Sequence, residues 1–186
     1  MNRNNFFIII LIVCIISCSE RYTPKPRAFV KLELPEKKYT IFNSSCPFYF
    51  EIPMYSNIEM KTEDCLFDIV FSQLNAKIHI TYLPITDNLY KHTEQSRSLA
   101  YKHNIVADRI TEQLYVNDSI RVYGVFYDYA GITATSSQFY LTDSVNHFFR
   151  GALYFSTQIS DSLLPVNNFL KEDVKHLIES FCWKDN

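Results

Sequence analysis

The chain has 186 residues and a formal net charge of −2 at pH 7, with 13 Tyr and 15 Phe but only 3 Gly. So nearly neutral a balance excludes the strongly basic surface that nucleic-acid binding requires. So many bulky side chains exclude extended disorder and supply the core of one ordinary domain.

Asn2, Arg3 and Asn4 form a short, positively charged start, followed by an unbroken apolar run from Phe6 to Ile16 and then by Ser17-Cys18. A charged start, an apolar stretch of about 7–15 residues and a small residue before the cut make an export signal. The run is too short to span a bilayer, which takes about 20 residues. Cys18 behind Ser17 fits a bacterial lipobox: residues 1–17 are then the signal peptide, and Cys18 becomes a lipidated N-terminus. Acyl chains hold a protein by about 0.8 kcal/mol per buried CH₂, so two or three anchor it firmly. The expectation is a cell-envelope protein, lipid-anchored and facing the periplasm. Ser19-Glu20 leaves inner and outer membrane open.

Residues 18–45 read as a lipidated tether and docking segment. Thr23-Pro24-Lys25-Pro26-Arg27 is stiff and extended, because each proline fixes φ and disfavours helix before it. Arg21, Lys25, Arg27 and Lys31 either favour anionic headgroups or are simply solvated. Phe29, Leu32, Leu34, Tyr39 and Phe42 are apolar enough to pack onto the body, which residues 46–186 form as a single globular domain.

From Pro47 the apolar period is two, which predicts strands over Phe48–Ile52, Phe67–Phe71 and Lys77–Leu83. The intervening Pro53–Asp64 has little apolar periodicity. Between Asn88 and His103 apolar and small residues recur at three- and four-residue steps, which predicts a helix capped by Asp87 or Asn88. Strands return over Arg109–Val116, Ile120–Tyr129, Ser136–Leu141 and His147–Phe155, with turns at Asn117–Ser119 and Ser144–Asn146. A closing helix follows Pro165 and runs through Phe181 and Cys182. The order predicts an α+β fold: an antiparallel sheet of about six to seven strands flanked by helices. It resembles the α/β/α sandwich of PsbP- and Mog1-like proteins, which implies no activity.

Three cysteines remain after Cys14 and Cys18. Cys46 and Cys65 flank a short segment and can pair in an oxidising compartment, and closing a loop of about 20 residues would stabilise by roughly 3 kcal/mol. Cys182, beside Trp183, reads as a buried free thiol. No pair has CxxC or HxxxH spacing, so neither a metal site nor a cofactor is expected. No GxSxG elbow or HExxH helix is present. Thr142-Asp143-Ser144 with His147 has the residue types of a nucleophile–base system, but within one turn, where short polar side chains bond backbone. Glu51, Glu63 and Asp64 are the acids a glycan hydrolase would need. His79, His92, His103, His147 and His176 read as half-buried, hydrogen-bonded residues.

Arg150 stands out. It alternates with Phe149, Gly151, Leu153 and Phe155, so that Arg150, Ala152 and Tyr154 share the opposite face. A charge in so apolar a strand needs a partner. Asp128, Asp143 and Asp161 are the candidates for a structural salt bridge. The sharper reading is a contact for an acidic partner through Arg150, Asp143 and Tyr154.

Short motifs in order along the chain resemble the gliding-motility lipoprotein GldD family of Bacteroidetes. They are Tyr22-Thr23-Pro24-Lys25-Pro26-Arg27, Leu34-Pro35-Glu36-Lys37-Lys38-Tyr39, Cys46-Pro47, Cys65, Tyr101-Lys102-His103 and Tyr123-Gly124. Gln138-Phe139, Thr142-Asp143-Ser144, Arg150-Gly151-Ala152-Leu153-Tyr154-Phe155, Asp161-Ser162-Leu163 with Pro165, and Trp183-Lys184 continue the pattern. Both Cys46 and Cys65 belong to it. Leu66 stands where the resemblance implies an aromatic, and Cys182 departs from it. The resemblance implies a non-enzymatic, membrane-anchored component or assembly factor of the gliding and type IX secretion apparatus, with protein components of that machinery as partners. The alternatives are a periplasmic ligand-binding lipoprotein and an envelope hydrolase acting on peptidoglycan or glycans.

Overall fold

The computed structural model describes residues 33–61, 65–86, 88–102, 107–131, 133, 135–157, 159 and 162–184. Cys18 and the rest of residues 1–32, together with Glu63, Asp64, Asp87, His103 and Asp161, lie outside them.

The described residues form an α+β fold of ten strands and two α-helices. Strands β1 (Tyr39–Asn43), β2 (Phe48–Pro53), β3 (Asn57–Met60), β4 (Phe67–Phe71) and β5 (Ala76–Pro84) precede helix α1 (Leu89–Tyr101). Then come β6 (Arg109–Asn117), β7 (Val122–Ala130), β8 (Thr135–Thr142), β9 (His147–Phe155), helix α2 (Leu164–Ser180) and β10 (Cys182–Trp183). All pairing is antiparallel, in a seven-stranded sheet of order β3-β4-β5-β9-β8-β7-β6 and a three-stranded sheet of order β1-β2-β10.

The second sheet departs from the single sheet expected. Its outer strands are short and read weakly alone. β1 comes from the docking segment and pairs with β2 from Tyr39↔Pro53 to Asn43↔Tyr49. Cys182, expected on the closing helix, is instead in β10: Phe181 takes an extended conformation that ends α2, and Cys182 pairs with Tyr49. β3 was hidden because its alternation is faint, and its pairing with β4 from Asn57↔Val70 to Met60↔Phe67 supplies the order. The helix ends follow local chemistry. The Asn88 side chain accepts the Tyr90 N–H and caps α1, and proline stands in the first turn of α2, where its missing N–H costs nothing.

The main core lies between the two sheets and under α2. Phe48 and Phe50 of β2 meet Phe149 of β9 and Phe181, with Phe48–Phe149 and Phe149–Phe181 ring centroids both 4.9 Å apart. Each such ring, fully buried, stabilises by about 1.5–3 kcal/mol over leaving it in water. Leu170, Val174, Leu177 and Ile178 close this core from α2. Gly151 makes the packing fit, since a Cβ there would stand 2.3 Å from the Phe139 ring. On the other face of the large sheet, Val125, Tyr127 and Tyr129 pack with Ala100 of α1.

Polar contacts fasten the N-terminal strand. Asp173 of α2, 1% exposed, receives Lys37 Nζ at 2.6 Å, the Tyr39 hydroxyl at 2.9 Å and the Tyr55 hydroxyl. His176 stacks on Tyr39 at 3.7 Å and meets Glu51 at 2.6 Å. Burial, followed by the hydrogen bond to Asp173, pushes both the Tyr39 and Tyr55 phenols above their ordinary range. Cys46 and Cys65 form a disulfide with Cα atoms 5.8 Å apart, joining the residues before β2 and before β4. It therefore links the two sheets covalently.

Replacing Cys46 and Cys65 together by Ser should lower stability by about 2–5 kcal/mol, read as the urea midpoint, with Cys182 alkylated in the unfolded wild type without reductant. Gly151→Val should cost about 1–3 kcal/mol by overpacking, measured the same way.

Candidate functional site

Two places gather the residues singled out in the sequence. The first is the β8–β9 turn. Thr142 Oγ1 accepts the Ser144 N–H at 3.0 Å, and Asp143 Oδ1 accepts the N–H groups of Val145, Asn146 and His147 at 3.0, 2.8 and 2.8 Å. Ser144 sits at φ +71°, in the left-handed region a tight turn imposes. Burial alone would raise the Asp143 carboxyl, but the three N–H donors and the nearby His147 ring hold it below the ordinary carboxylate range. His147 Nδ1 pairs with the Tyr82 hydroxyl at 2.7 Å, and its ring stacks on Trp183 at 5.0 Å. The Tyr82 phenol is pushed up, by burial first and Asp143 second.

Asp143, Ser144 and His147 are thus neighbours without forming a relay. The carboxylate oxygen serves three backbone donors, and the imidazole Nδ1 is engaged by a tyrosine. The arrangement can order a turn; a nucleophile–base system needs the base bonded to the nucleophile and to its orienting acid. Beside this turn lies a cavity of about 390 Å³, lined by Tyr49, Arg121, His147, Trp183 and Lys184 among others.

The second place is the face of the large sheet turned away from the main core. Here Asp68 of β4, 2% exposed, sits opposite His79 of β5. It contacts His79 Nδ1 at 2.6 Å, Lys61 Nζ at 2.7 Å and Lys77 Nζ at 3.6 Å. Burial opposes its charge, while Lys61 and His79 prevail and hold its carboxyl low. Tyr154 lies across from Lys77 on β9, its ring 5.1 Å from His79.

Arg150 occupies the same face. Its guanidinium donates to Gln138 Oε1 at 2.6 Å, and its buried Nε–H has no partner. The aspartate partner expected from sequence is missing among the described residues. Asp128 pairs with Lys171, Asp143 serves its turn, and Asp161 lies outside the described residues. Burial pushes the guanidinium below its usual value, and the groups that act against this are the phenols of Tyr154 and Tyr129. Arg150 and Tyr154 therefore share a face, whereas Asp143 belongs to the turn at the start of β9.

The remaining candidates disperse. Glu51 is bound to His176, and His92 packs on Phe148 at 5.4 Å. Among the described residues no three of His, Cys, Asp and Glu are grouped to hold a metal. Sequence reading missed Asp68 and Asp173. The signal for Asp68 was a lone acid inside Phe67–Phe71, whose meaning needs the cross-strand register with His79.

The family model for the gliding motility lipoprotein GldD matches residues 19–183. No curated protein matches the chain.

Both Asp68 and Asp143 titrate lower folded than unfolded. Their stabilisation is full above the unfolded carboxylate value and disappears as pH falls through the folded one, so acid unfolding should begin below about pH 4. Asp143→Ala, which strips three backbone donors of their acceptor, should cost about 1–3 kcal/mol at pH 7 and flatten the acid limb. Urea midpoints at pH 7 and pH 3 check both.

Proposed function

Because the chain belongs to the GldD family of gliding motility lipoproteins, we propose that it is a membrane-anchored, non-enzymatic component or assembly factor of the gliding and type IX secretion apparatus. The observation that carries this reading is the extent of the family match, from the residue after Cys18 to Trp183. Attachment is through lipid on Cys18, with the body in the periplasm. No helix among the described residues is long and apolar enough to cross a membrane. The non-enzymatic role is supported by where the reactive residue types are engaged. Asp143 holds a turn, His147 pairs with Tyr82, and Glu51 pairs with His176. Work is then done by contact, with Arg150 and Tyr154 offering a sheet face to a protein partner and Asp143 shaping the adjoining turn.

The cavity beside Trp183 favours a second reading, a periplasmic ligand-binding lipoprotein. About 390 Å³ is within the usual range of small-molecule sites, and aromatic and cationic side chains line it. A thermal-shift screen of anionic saccharides separates the two: a ligand lost on Trp183→Ala would favour binding.

A strain lacking the gene should fail to spread on agar and should retain surface proteins that the parent secretes. Cys18→Ala should take up no labelled palmitate and should reproduce the spreading defect. Normal spreading and secretion in the deletion strain would refute the assembly reading.

A further inference from the structure

Arg150 is a cation in the middle of a sheet, and no described carboxylate pairs with it. β9 lies between β5 and β8, and in its register Arg150 stands between Thr81 and Tyr140. Guanidinium carries five N–H donors. The fold supplies one acceptor from a side chain, Gln138 Oε1, and leaves Nε–H buried and unbonded. Polar groups withdrawn from water in native folds are nearly always paired. Every aspartate proposed as a partner is engaged elsewhere or lies outside the described residues. Gln138, itself 1% exposed, cannot neutralise the charge.

Beside the guanidinium is a slot of about 90 Å³ between α1 and the sheet, lined by Thr81, Leu83, His92, Ser96, Phe148 and Arg150. Its volume is that of about three waters of liquid. A carboxylate group fits there. The body that carries the carboxylate must therefore stay outside. Leu83 and Tyr154 are partly exposed on the same face and provide apolar contact around the slot.

We propose that Arg150 is a socket for the carboxylate of an aspartate or glutamate on a protein partner, which enters the slot between α1 and the sheet and completes the guanidinium's hydrogen bonds as a bidentate pair. This rests on the reading of the protein as an assembly component. An arginine that closes a pair only in the complex behaves as a binding hot spot, since its fork matches a carboxylate and a lysine's point charge does not.

The test uses the purified mature lipoprotein and follows the Arg150 Nε–H resonance. Sodium acetate should shift that resonance and slow its exchange, whereas sodium chloride at equal ionic strength should not. A response to methyl phosphate with none to acetate would overturn the carboxylate assignment in favour of a phosphate-bearing surface. Arg150→Met alone would strand Gln138, so the paired variant Gln138→Met/Arg150→Met is measured beside it. The pair should unfold at the same urea concentration as wild type or higher, while spreading and secretion fall at least tenfold; Arg150→Lys should fold normally with a partial defect. A clear loss of stability in the paired variant, or its full motility, would overturn the socket. If the deletion strain glides and secretes normally while acetate still binds Arg150, the assembly reading fails and the site stands. If deletion abolishes both but the paired variant does not, the reading stands and the socket fails.

Discussion

Two sheets meet across one layer of phenylalanine rings, and the position of nearly every other element follows from that contact. Phe48 and Phe50 alternate on β2, Phe149 on β9 faces them, and Phe181 arrives from the end of α2. Rings of that size leave no room for a side chain at Gly151, so the central strand of the large sheet carries a glycine where the Phe139 ring crosses it. Because Phe181 is held in this layer, the chain leaves the helix as a strand, and β10 brings Trp183 onto His147. The aromatic cavity and the β8–β9 turn are thus products of core packing.

Much of this was legible in the sequence wherever burial imposed a strict alternation. Phe67–Phe71 and His147–Phe155 are strands with the expected limits because each buries alternate apolar residues in the main core. Asp143 read as a turn residue because a short carboxylate beside the backbone finds N–H donors locally. β1, β3 and β10 were not legible as strands, since β1 and β3 bury no residue fully and so impose no strict alternation, β10 has two residues, and all three take their order from β2 and β4. The partner of Arg150 was sought among aspartates from the rule that buried charges pair. That rule describes completed structures, and no spacing along the chain could reveal that Asp128 would go to Lys171 on α2.

The charges show a consistent asymmetry. Buried acids are oversupplied: Asp68 has two lysines and a histidine, Asp173 a lysine and two tyrosines, Asp143 three amides. Arg150 has a neutral amide. In a low-dielectric setting the first arrangement fixes the fold and the second leaves unused attraction at one spot on the sheet.

The cross-link between the sheets has a mechanical consequence. Tension arriving along the chain from residue 33 meets Lys37, held by Asp173 and the Phe169 carbonyl, and then β1, whose five residues pair with β2 alone. Peeling β1 away extends the chain as far as Cys46, where the load divides. One route runs through β2; the other passes directly through the sulfurs to Cys65 and into β4, bypassing residues 47–64. The length freed by that step is therefore capped at Cys46. A body built this way yields by a short, recoverable step at its edge and transmits any larger force as a rigid piece.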